Sequence, residues 1–366
     1  MTESQAYVAF NLTDKVGFAT VSALAEEAGS VVEAWERYPK KVARSGGEVD
    51  WEREFSLAGR FGVKILTPAD PGYPMRLAAA PGRPLALYVK GTVEALSAPA
   101  IAIVGTRRAT SYGRDVASSL AFGLAKAGWS VVSGLALGID ADAHRGALDA
   151  GGVTVGVIGS GLDLFYPEEN RELAREISKS GGAVVSEFPF GRPPDRETFP
   201  IRNHVVAGLA HGVVAVEAPL RSGTLITTSI AADLGRTVMA VPGRVDSRAS
   251  AGCLQLIRDG ATLVRGVDDV LEAMSELIPA TRPRPADGMG ADDAPATDPE
   301  TPPYSVEEAM VMLHVDDDGV SLDELARQTR LPAERVNAVV MGLRIKGFVR
   351  FLPGNRVAVL RPGRRM

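Results

Sequence analysis

The stretch IAIVGTRRATSYGR, Ile101 to Arg114, decides the fold. An apolar run without polar alternation stops at Gly105 and meets Thr106, Arg107 and Arg108 before a helical pattern opens. Such a run suits a strand covered on both faces, and the glycine marks the turn into a crossover helix. The pattern recurs at 130–134 (SVVSG), 153–159 (VTVGVIG), 183–187 (AVVSE), 212–218 (GVVAVEA) and 237–243 (TVMAVPG). Amphipathic segments such as GRDVASSLAFGLAKAG and EENRELAREISKSG lie between the runs. The repeated unit is a βαβ crossover, so residues 81–278 are expected to form an α/β domain, a Rossmann-like, doubly wound, mainly parallel sheet.

Composition narrows the class further. At 366 residues the chain has room for two or three domains. Its net charge of −5 argues against a uniformly basic coat but leaves room for a local basic groove. The single cysteine, Cys253, excludes an internal disulfide framework and a cysteine-based zinc site; its apolar helical setting predicts a packing role. No apolar run is long enough to span a bilayer, and MTESQAYVAFNLTDK does not read as a secretory signal, so a cytoplasmic protein is expected.

Two flanking modules complete the organisation. Residues 1–80 carry helical spacing in VSALAEEAGSVVEAWERY and WEREFSLAGRFGVKIL, which predicts a helical module of the SAM or helix-hairpin-helix kind. The glycine-rich hairpin of such modules is replaced by DKVGFAT. Residues 279–303 hold seven prolines and little that is apolar, the composition of a solvated linker. From 304 to 366, three helical segments precede FVRFLPGNRVAVL, a hairpin turning at Pro353-Gly354-Asn355, which predicts a winged helix with Ser321 as an N-cap. Leu331 to Met366 carry eight Arg or Lys residues against Glu334 alone, a surface suited to nucleic acid or to a protein partner.

In an open parallel sheet, ligands bind where strands give way to helices at their carboxyl ends. Those positions here are GTRRATSYG, SGLALGIDADAH, GSGLD, SEFPFGRPPDRETFPIRNH, EAPLRSGTLITT and VPGR. They are rich in Gly, Ser, Thr and Arg, the residues that bring backbone N–H groups, hydroxyls and guanidinium forks to a phosphate. The candidates are Gly105, Thr106, Arg107 and Arg108 after the first strand, Ser133 and Gly134 after the second, Gly159, Ser160 and Gly161 after the third, and Ser222, Gly223 and Thr224 after the fifth.

Missing signatures separate the possible phosphates. Gly159-Ser160-Gly161 begins a dinucleotide fingerprint, but Leu164 stands where its third glycine belongs, and no G-x-x-x-x-G-K-[ST] occurs. No nucleotide cofactor is expected. Asp140, Asp142 and His144 read as an N-capping carboxylate and a hydrogen-bonded histidine in preference to metal ligands, so no metal is expected. Ser222 lacks a G-x-S-x-G elbow, so backbone anion binding is expected there and not nucleophilic attack.

The loop 187–204 sets Arg192, Arg196 and Arg202 among Phe188, Phe190 and Phe199. Single-strand binders combine guanidinium groups along the backbone with rings that stack on bases. Phe188 and Phe190 are expected to fill the core, and Phe199 to stack.

The linked motifs VGTRRATSYG, SGLALGIDADAHRGAL, GVIGSGLDLFYPEEN, SEFPFG, FPIRNHVVAGLA, VVAVEAPLRSGTLIT and AVPGR resemble, in order and spacing, the DNA-processing protein A family (DprA, also called Smf). The resemblance covers about 70 to 265 in detail, and the flanking modules fit its domain order. It implies single-stranded DNA binding during natural transformation, loading of the RecA recombinase and a homodimer; family members are not known as enzymes. It implies that Arg107 and Arg196 hold phosphate, that Phe199 lies against a base, and that Arg202 and Asn203 form the family's R-N pair. His204 stands where a second arginine is common, and a neutral imidazole would weaken a phosphate contact. The helices at Val205–Leu209 and Ile226–Leu234 are both candidate dimer faces. Two other classes fit the sequence less well: a nucleoside monophosphate phosphoribohydrolase, whose signature acid is missing from RSGTLITT, and a duplex-reading regulator.

Overall fold

The computed structural model describes residues 1–38, 43–44, 46–275, 306–316, 319–329, 331–345, 348–352 and 356–359. The expected linker at 279–303 and the hairpin turn at 353–355 lie outside the described residues. Two compact units divide the chain, Met1–Pro279 and Ala280–Met366.

The first unit begins with helices α1 (Glu3–Leu12), α2 (Phe18–Ala28), α3 (Val31–Arg37) and α4 (Trp51–Phe61). Phe10 packs edge-on to Trp35 with ring centroids 5.2 Å apart, anchoring the small core that α1 to α3 share. Strand β1 (Lys64–Leu66), helix α5 (Met75–Ala78) and strand β2 (Leu87–Gly91) follow. The expected module boundary falls at residue 80, yet β1 already pairs antiparallel with β2 in the main sheet.

From β3 (Ala100–Val104) the chain alternates: α6 (Ser111–Lys126), β4 (Ser130–Ser133), α7 (Ile139–Asp149), β5 (Thr154–Val157), α8 (Arg171–Lys179), β6 (Ala183–Ser186) and α9 (Thr198–Leu209). It continues through β7 (Gly212–Ala215), α10 (Gly223–Asp233), β8 (Thr237–Ala240), α11 (Ala251–Arg258), β9 (Thr262–Leu263) and α12 (Val267–Met274). All six strands expected from the sequence are present, in a nine-stranded sheet ordered β1-β2-β6-β5-β4-β3-β7-β8-β9. Strands β3 to β9 run parallel to their neighbours, and β2 joins β6 antiparallel. The chain steps from β3 outward to β6, then returns to the other side of β3 for β7. That reversal opens a crevice at the carboxyl ends of β3 and β7.

Two-sided burial explains the unbroken apolar runs. Along β3, Ala100, Ala102 and Val104 face the layer that includes α9, while Ile101 and Ile103 face α6 and α7. Val205, Val206, Ala207 and Leu209 of α9 are at most 1 % exposed and Gly208 is buried, because this helix lies on the centre of the sheet. That burial rules out Val205–Leu209 as a dimer face. On α10, by contrast, Ile226 is 43 % exposed and the preceding Leu220 59 %.

The second unit is a winged helix: α13 (Val306–Met312), β10 (Val320–Ser321), α14 (Leu322–Thr329), α15 (Ala333–Ile345), β11 (Val349–Leu352) and β12 (Arg356–Val359). Its strands order β10-β12-β11. The Ser321 hydroxyl accepts from the Glu324 amide at 3.2 Å, the expected N-cap. Among the described residues no helix is long and apolar enough to cross a membrane.

Candidate nucleic-acid interface

The turn after β3 is held from below. A Cβ on Gly105 would come 2.5 Å from the Ile139 side chain, so the glycine there serves the close packing of α7. The Thr106 amide donates to the Glu217 carbonyl at 2.7 Å, and the Arg108 amide to the Thr106 hydroxyl at 3.2 Å. Thr110 caps α6 by accepting from the Gly113 amide at 3.1 Å. The buried Glu217 carboxylate in turn accepts from the Thr110 amide at 2.9 Å and its hydroxyl at 2.6 Å. These bonds fix the turn with Arg107 and Arg108 exposed on its crest.

Carboxylates of the chain itself occupy several backbone donors of these loops, among the expected phosphate-binding residues that of Gly134. Glu217 fills the start of α6. Asp140 fills the loop after β4, accepting from the Gly134 amide at 3.1 Å. Burial pushes its carboxyl above the ordinary range, opposed by the Arg202 guanidinium and the surrounding amides. Asp163 accepts from Gly191 at 3.0 Å, and Asp195 from Glu197 and Thr198 at 2.8 Å each. A carboxylate satisfies these amides as a phosphate would, with the same charge complementarity at a helix start.

Several expected ligand residues make contacts within the fold, and two of them, Gly134 and Gly159, also line the slot described below. The buried Ser133 hydroxyl donates to Ile103 at 2.6 Å. Gly134 leaves room for the Arg202 guanidinium, which a Cβ there would strike. Ser160 is buried and its carbonyl accepts from the Ser186 hydroxyl at 2.6 Å. The Gly161 amide donates to the Arg192 carbonyl at 2.9 Å, and Gly159 lies under Phe199, 3.2 Å from where a Cβ would sit. Asp140 is not the N-cap of α7; Gly138 is, and Asp140 reaches back from the first turn. Asp142 pairs with Arg114 and Arg145 at 3.2 Å each, and the buried His144 meets the Thr154 hydroxyl at 2.7 Å. Among the described residues no three His, Cys, Asp or Glu groups converge on a metal position. The Cys253 thiol is buried and pushed up to about 12 by that burial.

What the rim presents outward is cationic and aromatic. The Arg107 guanidinium lies 4.7 Å over the Phe199 ring, a cation–π contact. Tyr166 stands 6.1 Å from Phe199 with its ring tilted by 50°, and it is 48 % exposed. Beneath them Arg202 is 5 % exposed and donates through Nη1 to the Val157 carbonyl at 3.0 Å. Burial lowers its guanidinium to about 10, with Asp140 pulling the other way, so it stays charged at neutral pH. Arg196 is exposed in the loop before α9, and Asn203 is half-buried on that helix. Loops after β3, β4 and β5 and the start of α9 thus meet in one slot lined by Arg107, Phe199, Tyr166 and Arg202.

Not every sequence candidate joins this slot. Ser222 and Gly223 line a separate shallow groove with Leu220, Ile226 and Ile230, while Thr224 is buried. His204 is held below its ordinary range by burial and hydrogen-bonds toward the Pro81 carbonyl. Phe188 is buried, and Phe190 packs on Phe61 and Tyr88 with centroids 5.4 and 5.5 Å away, the core role expected of both. Tyr166 was missing from the sequence candidates, although an aromatic beside Pro167 after a strand end was a readable signal.

Fold and rim together define a Rossmann-like protein whose sheet edge offers cations and rings in place of a nucleotide loop. Residues 64–275 match the family model described as DNA recombination-mediator protein A, and residues 294–355 match the DprA winged helix domain. The chain belongs to the DNA recombination-mediator protein A (DprA/Smf) family. It is 35% identical over 319 residues to protein Smf of Synechocystis, covering 80% of this chain and 79% of that one. It is 42% identical over 247 residues to a putative DNA processing protein DprA of Mycobacterium tuberculosis, with 63% of each covered. The structure of DprA from Streptococcus pneumoniae superposes with a TM-score of 0.61 at 34% identity, over 74% of this chain and 98% of that one. DprA from Helicobacter pylori, described for its single-stranded DNA binding mode, gives 0.53 at 28% identity, over 58% and 96%.

Proposed function

We propose that this protein binds single-stranded DNA along the rim above β3, β4 and β5, without regard to overall sequence, and helps load RecA recombinase onto incoming strands during transformation. The Arg107 guanidinium stacked on Phe199 carries the reading. It pairs a phosphate donor with a ring on which any base can lie. Arg196 extends the cationic track, Arg202 supports it from below, and Asn203 on the same helix is a further candidate contact. Arg108 on the crest is a further candidate contact, whereas Ser222 and Gly223 belong to the separate groove with Leu220 and Ile226.

The reading is of a binding protein with no cofactor, not an enzyme. The buried carboxylates Glu217 and Asp140 are held by Thr110 and Gly134, which assigns both to loop geometry. A cytoplasmic homodimer completes the proposal, joined through the exposed Leu220 and Ile226 beside α10. DprA of Helicobacter pylori, described for its single-stranded DNA binding mode, supports the single-strand part of this reading.

The test is fluorescence anisotropy with a labelled oligo-dT strand at moderate salt. Arg107→Ala and Arg196→Ala should each weaken binding while leaving the thermal melt unchanged. If both folded variants bind as tightly as the parent protein, the groove is misplaced.

A further inference from the structure

The segments at the carboxyl edge of the sheet do not share charge evenly. Those after β5 and β6, residues 158–170 and 187–197, hold Asp163, Glu168, Glu169, Glu187, Asp195 and Glu197 against Arg192 and Arg196. Those after β3, β7 and β8 hold Arg107, Arg108, Arg221, Arg244 and Arg248 against Glu217 and Asp246. Both of these acids are taken: Glu217 is buried and accepts from Thr110, and Asp246 pairs with Arg244 at 2.9 Å. Arg108, Arg221 and Arg248 are exposed and make no ion pair among the described residues. In a chain of net charge −5, that half of the edge is where a polyanion finds attraction.

A ring stands in the same half. Tyr112, in the first turn of α6, is 49 % exposed, and its hydroxyl donates to the Pro242 carbonyl at 2.9 Å. That bond fixes a half-exposed ring between the turn after β3 and the loop after β8. The Ala218 amide donates to the Ala249 carbonyl at 2.8 Å, which ties the loops of Arg221 and Arg248 together. Strands β7 and β8 lie one and two spacings beyond β3, about 10 Å in all. Phe199 and Tyr112 therefore lie on opposite sides of the Arg107–Arg108 turn.

We propose that a strand seated in the slot leaves it across β7 and β8, with Tyr112 as a second stacking ring and Arg221 and Arg248 as phosphate contacts. Guanidinium groups interleaved with an exposed ring are what a single strand tracks. The proposal rests on the single-strand reading above and gives the strand a direction. The opposite exit, over β6, would carry phosphates past Asp163, Glu169 and Glu197, where like charges repel.

The experiment measures binding of the full chain to oligo-dT of about four and about sixteen nucleotides, the short strand by competition. The short strand fills the slot alone and the long one reaches β8. Tyr112→Ala should weaken the long strand roughly tenfold, the scale of one stacked base. Arg248→Ala should lower the slope of log K against log salt for the long strand by about 0.7, the share of one phosphate. Both variants should bind the short strand as the parent does, and Tyr112→Phe, which keeps the ring, should bind both strands normally. Tyr112 and Arg248 stand outside the Leu220–Ile226 groove, so the proposed pairing face is untouched. Arg248 is exposed, so its variant decides alone if Tyr112→Ala does not fold. Long-strand affinity unchanged in folded Tyr112→Ala, or a salt slope unchanged in Arg248→Ala, overturns the path. So does Glu169→Lys tightening the long strand more than the short one, which assigns the opposite exit. The single-strand reading survives those results provided Arg107→Ala weakens both lengths. Failure of the parent protein to bind either strand removes both proposals together.

Discussion

Glu217 accepts two hydrogen bonds from Thr110, from its amide at 2.9 Å and its hydroxyl at 2.6 Å. The carboxylate comes from the end of β7 and the threonine caps α6, so the pair bridges the two strands between which the topology reverses. In a dinucleotide-binding sheet that crevice takes the pyrophosphate. Here the chain supplies the anion, and the turn is fixed with its arginines outward.

Removing that anion should loosen the turn. Glu217→Ala leaves the Thr110 amide and hydroxyl without their partner, at a cost of about 1–3 kcal/mol. Urea unfolding should show that loss, and oligo-dT affinity should fall because Arg107 is no longer held. A variant with unchanged stability and affinity would contradict the role given to Glu217.

Stacking on Phe199 and Tyr166 is separable from charge. Phe199→Ala should cost about 1–3 kcal/mol of strand binding with the salt dependence intact. Arg107→Ala should instead flatten the salt dependence by about 0.7 in the slope of log K against log salt, the share of a single neutralised phosphate. Tyr166→Ala should resemble Phe199→Ala and Phe199→Trp should retain binding, all read by anisotropy across a salt series.

Gly134→Ala tests the support under the slot. Its methyl group would meet the Arg202 guanidinium, which must shift away from Val157. Strand affinity should drop although no exposed residue has changed, and the melt should move by the few degrees that about 1 kcal/mol implies in a chain of this size. Unaltered binding would show that Arg202 has no part in the site.

His144 makes stability depend on pH. Burial, aided by Arg202 and Arg145, lowers its folded value to about 3 from 6.5. Between those values the unfolded chain holds a proton that the folded chain refuses, so this group erodes stability as pH falls below about 6.5. The erosion approaches about 1.4 kcal/mol per pH unit. Urea midpoints from pH 7 down to pH 4 should follow that trend, and His144→Gln should reduce the slope by one proton.

The six central strands were readable because burial on both faces demands unbroken apolar runs, as in Ile101–Val104. Strands β1, β2 and β9 were not. They are short or carry edge residues such as Lys64 and Lys90, and their pairing comes from tertiary packing. In the site, Arg107 and Phe199 were legible as a cation and a ring at strand ends. The engaged state of Gly105, Ser133, Gly134 and Ser160 was not, because a glycine or serine after a strand looks the same whether it faces phosphate or carboxylate. Asp140 and Glu217 decide that difference, and they reach their amides only once loops from separate strands come together.

The proposed strand path runs through one slot, shared by Arg107, Phe199 and Tyr166. Photo-crosslinking of a 5-iodouracil oligonucleotide to the wild-type protein, followed by peptide mapping, tests it most directly. Adducts are expected on Phe199 and Tyr166, and they should disappear with excess unlabelled oligo-dT. Adducts confined to the winged helix or to the Leu220–Ile226 groove, with none at Phe199 or Tyr166, would contradict it.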